Sequence, residues 1–172
     1  MQGSGFGKSD YCCLYPVVCS LKFKPMNKLK MIDISGKDFT KRTAKASVKI
    51  KMPKAIVKKI KNGSLLKGDC LSAARVAGIL AAKQTPSIIP LCHTLQLSYA
   101  SIDFEFSSSA ITVFSEARAS YATGVEMEAL TACAVAALTI YDMAKAETKD
   151  IRITDLKLLE KKGGKTGDYK SS

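Results

Sequence analysis

TGVEMEALTACAVAALTIYDMAKA, residues Thr123 to Ala146, is the stretch that decides how this chain folds. At about 100° per residue its apolar side chains cover nearly every face of a helix from Val125 to Ala146. A helix of that kind has to be buried, in a core or in an oligomer interface. Working outward, Leu95 to Phe106 and Ile111 to Ala119 read as two antiparallel strands joined by a serine turn, and Ile151 to Leu159 as a last strand. Ser47 to Met52 alternates, with Val48, Ile50 and Met52 on one face and Lys49 and Lys51 on the other, the pattern of a half-buried strand. Pro53 suits the first turn of a short helix through Ile60, stopped by Asn62-Gly63. Asp69 to about Lys83 predicts a helix of small and aliphatic residues, and Pro86 to Pro90 a constrained apolar loop. With no internal repeat, this order predicts an α+β sandwich: a mostly antiparallel sheet with helices packed on one face.

The chain has 172 residues, enough for one domain with a real core. Its 47% apolar and 24% charged residues exclude wholesale disorder. No uncharged apolar run reaches the ~18 residues of a typical membrane span. Six cysteines without a CxxC pair, and His93 as the single histidine, give neither a disulfide framework nor a zinc spacing. Cys70, Cys92 and Cys133 are expected as reduced thiols in a cytosolic protein. The net charge of +12 lies wholly in residues 1–62, where fifteen Lys/Arg meet three Asp/Glu; the remainder is balanced. Polyphosphate, RNA or anionic lipid would be drawn to such a segment, although a solvated lysine face would also account for it. Residues 1–30 are rich in Gly, Ser and Lys, and their apolar stretch Tyr11 to Leu21 is broken by Pro16. They contain no arginine, no clear small-residue cleavage site and no packing periodicity, so a poorly ordered extension is expected there.

Chemistry centres on Leu91-Cys92-His93. An imidazole titrates near neutral pH and can act as acid or base, or can simply be structural. Cys92 adjoins it, but neighbours on an extended chain point apart, so Cys92 is not read as a nucleophile. Glu126 and Glu128 flank Met127 at the start of the long helix. Thr123-Gly-Val-Glu126 has the form of a capping box, which gives Glu126 a structural reading; Glu128 has none. Asp142 lies fourteen residues after Glu128, on the same face to within about 40° but about 21 Å along the axis. One small reacting centre cannot touch both within one chain. Asp142 and Lys145, spaced i,i+3, read as a surface ion pair, yet they sit in a helix that is otherwise apolar. Lys67-Gly-Asp69 and Gly163-Gly-Lys165-Thr-Gly167 set lysine beside glycine, where backbone can approach an anion, but neither has the spacing of a Walker loop.

Several of these segments occur in series: Met31-Ile-Asp-Ile-Ser, Lys67-Gly-Asp, Ala74-Arg-Val-Ala-Gly-Ile, Ile89-Pro-Leu-Cys-His, Thr123-Gly-Val-Glu-Met-Glu-Ala-Leu-Thr, Thr139-Ile-Tyr-Asp-Met and Gly163-Gly-Lys-Thr-Gly. Taken together the chain resembles the MoaC family of molybdenum-cofactor biosynthesis from residue 31 to about 169. Departures are mild: Thr94 stands where the family usually has proline, Ala144 where cysteine is common, and Thr166 where serine is common. The resemblance implies conversion of a cyclised dihydro-GTP into cyclic pyranopterin monophosphate with release of pyrophosphate; no cofactor and no protein metal site are expected, and whether Mg²⁺ accompanies the pyrophosphate is left open by the sequence. It implies catalytic roles for Lys67, His93, Glu128, Asp142 and Lys145, and substrate contacts from Leu91, Cys92, His93, Glu126, Met127, Glu128, Lys161 and Lys165. It also implies a ferredoxin-like catalytic domain over residues 31–172, assembled as a hexamer (a trimer of dimers) with sites shared between chains. Sharing would answer the 21 Å separation noted above. The runner-up is an RNA-binding module using the basic N-terminal third, which would want surface aromatics for stacking; residues 32–62 offer only Phe39. A membrane-surface reading fails because the long helix has no basic face.

Overall fold

The computed structural model describes residues 28–164 and 167–171. The chain divides into residues 1–30 and 31–172; apart from 28–30, the expected extension lies outside the described residues. The second unit runs β1 (Thr40–Lys51), α1 (Lys54–Lys61), α2 (Cys70–Lys83), α3 (Thr85–Ile88), β2 (Tyr99–Phe106), β3 (Ala110–Tyr121), α4 (Glu126–Ala144), β4 (Arg152–Lys162) and β5 (Tyr169–Lys170). The strands form one antiparallel sheet in the order β2-β3-β1-β4-β5. Leaving aside the short β5, this is the strand order of a ferredoxin-like sandwich, as expected.

Alternation in β1 sends Ala44, Ala46, Val48 and Ile50 into the core, against α4 and its neighbours. Lys45 and Lys49 go to the opposite face. β1 begins well before the expected Ser47. Its first half uses alanines, which are weak strand formers but leave room for α4 to lie close. On α4, Ala129, Ala132, Cys133, Ala136, Ala137, Ile140 and Ala144 are buried. A Cβ on Gly78 would come within 2.9 Å of the Ala132 carbonyl oxygen, so glycine sets how near α2 approaches α4. Two polar side chains under α4 are satisfied. Ser115 Oγ donates to the Ala129 carbonyl at 2.7 Å, and the Cys133 thiol donates to Ser115 Oγ at 3.2 Å.

Among the described helices α4 alone is long and apolar enough to suit a membrane span, but half of that window is buried in the core. It is not buried all round. Leu138 is 58% exposed. Two sequence expectations shift in detail. The Pro86–Pro90 loop overlaps the single helical turn α3, which accommodates Pro86 because no amide in a first turn has a partner within the helix. β2 starts at Tyr99 and not Leu95, although Leu95 and Leu97 still pack against the core. The tail adds β5, which pairs Tyr169 with Lys161.

Candidate active site

At the C-terminal end of α4 three predicted residues meet. Lys67 lies in the turn before α2. Gly68 adopts a φ of 91° there, and Asp69 accepts hydrogen bonds from the amides of Leu71 and Ser72 to cap the helix. That turn presents Lys67 to α4, where Nζ donates to Asp142 Oδ2 at 2.7 Å and to the Asp142 carbonyl at 3.0 Å. Lys145 Nζ lies 2.7 Å from Asp142 Oδ1. The hydrogen bond from Lys145, and then that from Lys67, draw the Asp142 carboxyl down to about 2, against a smaller opposing effect of desolvation. Asp142 is therefore a carboxylate throughout the neutral range, and it raises the pKa of Lys145 in return. The i,i+3 pair read from the sequence is present; Lys67 joins it from 75 residues away.

At the N-terminal end lies a second group. The capping box is corrected: α4 starts at Glu126 with Val125 as N-cap, and no side chain caps it. Glu126 has a competing partner, Lys161 on β4, whose Nζ lies 3.4 Å from Oε1. The Glu126 side chain folds over Gly124, where a Cβ would collide with its carboxylate. Glu128 is only 3% exposed. Burial raises its pKa, with the charge of Glu126 adding to the rise and a backbone hydrogen bond opposing it. The thiol of Cys92 is raised too, by burial and then by the charge of Glu128, which places the Leu91–His93 turn beside that carboxylate. A raised thiol agrees with Cys92 not being a nucleophile. His93 is half-buried. It contributes to the lowered pKa of Asp33, held down first by the hydroxyl and amide of Ser35. Leu91 and Met127 are exposed nearby in sequence, at 46% and 37%. Lys165 lies outside the described residues.

A cavity of about 170 Å³ opens at this end, lined by Lys37, Arg42, Thr123, Gly124, Glu126 and Lys161 among others. Arg42 Nε also donates to the Tyr121 carbonyl at 3.3 Å. Lys37, Arg42 and Asp33 were not singled out from the sequence. The two cations belong to a basic stretch that gave no reason to prefer one lysine or arginine over another; Asp33 stood inside a family-like segment, which was the one available signal. Among the described residues no three His, Cys, Asp or Glu side chains converge as a metal site. The free thiols of Cys70 and Cys133 are buried and pushed up to about 11, so both are inert.

The structure thus unites Lys67, Asp142 and Lys145 at one end of α4, and Cys92, Glu126, Glu128 and Lys161 at the other. It does not unite the two groups. A continuous helix from Glu126 to Ala144 separates them, with about 21 Å of axial rise between Glu128 and Asp142.

Comparison with known proteins identifies the family. The MoaC family pattern matches residues 31–164. A protein of Streptomyces avermitilis named cyclic pyranopterin monophosphate synthase is 46% identical over 143 residues, covering 83% of this chain and 84% of its own. Proteins of the same name from Peptoclostridium acidaminophilum and Listeria monocytogenes are each 47% identical, over 142 and 150 residues. They cover 83% and 87% of this chain, and 90% and 94% of their own lengths. On residues 31–164 and on these relatives, the chain belongs to the MoaC family.

Proposed function

We infer that this protein is a cyclic pyranopterin monophosphate synthase. It converts 3′,8-cyclo-7,8-dihydroguanosine 5′-triphosphate to cyclic pyranopterin monophosphate and releases pyrophosphate, a step of molybdenum-cofactor synthesis. The observation that carries this reading is the 46% identity to a protein of that name across 83% of the chain. Forming a cyclic phosphate requires attack of a hydroxyl oxygen on the α-phosphorus and departure of pyrophosphate. Charge then builds on the leaving oxygens, where fixed cations are most effective. Lys67 and Lys145, held by Asp142, supply two; Lys161 and Arg42 offer more at the other end.

Rearranging the purine-derived ring needs proton transfers. His93 and Glu128 are suited to them, Glu128 because burial raises its pKa. Asp142, with a pKa of about 2, serves as the organiser of two lysines and not as a proton donor. Neither end has a full set of groups, so the site is shared: Asp142 and Lys145 of one chain face His93 and Glu128 of another. A two-fold axis achieves this by bringing the start of one α4 near the end of its partner's. Such dimers assemble further into a hexamer, and the enzyme works in the cytoplasm. The nucleic-acid reading gains no support: the relatives this chain matches are named as a biosynthetic enzyme.

Incubating the protein with the cyclised dihydro-GTP and detecting the cyclic phosphate pterin by mass tests the activity; no product ends the reading. Mixing two inactive variants, His93→Ala and Asp142→Asn, tests sharing. A mixed dimer contains one site with both lesions and one with neither, so part of the activity returns. If mixed dimers form and stay inactive, each site belongs to one chain.

A further inference from the structure

Where β1 ends and β4 begins, the sheet face away from the helices holds an open cavity of about 420 Å³ that shares no residue with the groups above. Its walls carry Lys49, Lys51 and Arg152, together with Ser109 and Asp150. Lys51 and Arg152 are direct cross-strand partners. At such positions Cβ atoms lie about 5 Å apart, and like charges facing each other destabilise the pair. Lys49 follows two residues away on the same face, at roughly 7 Å.

Some cations elsewhere on this sheet are matched: Arg118 pairs with Glu116 at 2.6 Å, Lys162 with Glu160 at 2.7 Å, and Lys45 reaches Glu116 at 4.0 Å. Lys49, Lys51 and Arg152 make no ion pair among the described residues. Asp150 on the rim leaves the cavity with a net charge of plus two. The β2–β3 turn is held by its own bonds, Ser107 N–H and Oγ both donating to the Ala110 carbonyl. The Ser109 carbonyl accepts from the Met52 amide, while its hydroxyl makes no hydrogen bond among the described residues. Three unpaired cations and a hydroxyl therefore line a concavity of ligand size, on a rigid sheet end.

We propose that this cavity is a second anion site, separate from the substrate site, that takes the oligophosphate group of a small molecule. An oligophosphate has several oxygens spread over a few ångströms. It can contact all three cations at once and turn the repulsion between Lys51 and Arg152 into attraction to a shared anion. Two sources share this chemistry, free pyrophosphate and the phosphates of a nucleotide. Asp150 is placed to accept a hydroxyl or amino donor of the latter.

The test is calorimetric titration of the full chain at fixed ionic strength, with pyrophosphate and with GTP as probes. A Lys67→Gln/Lys161→Gln background silences the substrate site. Pyrophosphate still binds there, and adding Lys51→Gln/Arg152→Gln weakens it about tenfold or more, since two charged hydrogen bonds are lost. In the otherwise native chain, Lys51→Gln/Arg152→Gln keeps its turnover, and without phosphate it melts no lower, because a like-charge pair has been removed. Should that double variant fail to fold, Lys49→Gln is read in its place. Equal affinity for both probes assigns the site to phosphate alone; tighter GTP binding that Asp150→Asn removes assigns it to a nucleotide. Absence of pyrophosphate binding in the silenced background, or binding that survives both sets of cavity substitutions, overturns the proposal. Neither result bears on turnover at the substrate site.

Discussion

The two ends of α4 reverse what their positions on a helix would dictate. Glu128 sits in the first turn, where backbone amides favour a negative charge, and Asp142 near the last, where carbonyls oppose one. The helix alone would lower the first carboxyl and raise the second. Instead burial raises Glu128, and two lysines pull Asp142 down to about 2. Helix-end effects of about 0.3–1 kcal/mol lose to nearly complete burial on one side and to two direct hydrogen bonds on the other. The contrast separates the two ends: one carries a carboxyl whose pKa is raised by burial, the other a fixed charge holding two cations in place.

The largest effect is expected at the N-terminal end. His93→Ala lowers turnover by about two to four orders of magnitude, the range of a general acid–base group, with little change in melting temperature. Near-normal turnover in a folded variant would reduce His93 to structure. At the other end Asp142→Asn loosens Lys67 and Lys145 and costs about a hundredfold, as expected of misplaced positioning groups.

The pH dependence sharpens the contrast. Asp142→Asn leaves the acid limb of the rate profile where it was, because Asp142 has already lost its proton at the lowest pH the assay reaches. Glu128→Gln moves or removes that limb. If instead Asp142→Asn moves it, the two roles have been assigned to the wrong ends.

Stability follows the same division with smaller effects. The folded pKa of Glu128 is raised above its ordinary 4.5. Its favourable contribution is thus present below 4.5 and lost as pH rises through the folded value. Near neutral pH Glu128→Gln should melt higher than the parent, and the gap should close as pH falls toward 4.5. For Asp142 the folded value lies below the ordinary 3.8. Its contribution is present above 3.8 and fades as pH falls through about 2. Asp142→Asn should therefore melt slightly lower near neutral pH, with the gap closing in acid; thermal melts across pH 2–7 read both trends. The smallest effect concerns the terminus. A chain beginning at Met31 should keep its melting temperature and turnover, and a large drop in either would give residues 1–30 a structural part they are not expected to have.

Much of the fold was legible in the sequence. Alternation in Val48-Lys49-Ile50 and the paired runs before Thr123 placed three strands; the apolar period after Glu126 placed the central helix; Asp69 marked the start of another. These signals are local: a period of two or 3.6 residues, or a cap, is written in neighbouring positions. The first half of β1 was hidden because alanine, chosen to let α4 approach, does not announce a strand. The capping box misled because Thr123 and Glu126 have the right spacing, yet Lys161 arrives from β4 to take the carboxylate.

The sequence by itself determined which residues could do chemistry, the order of the elements, and the distance between Glu128 and Asp142, which follows from helical rise alone. Only the tertiary structure decided which charges count. Among the described residues the basic excess of residues 1–62 includes Lys37 and Arg42 at the cavity beside Glu126, Lys59 paired with Glu147, and Lys49 and Lys51 around the second cavity. Nothing local distinguishes those lysines. The strength of a charge depends on its burial and on partners brought from distant parts of the chain, and these exist only once the sheet has formed.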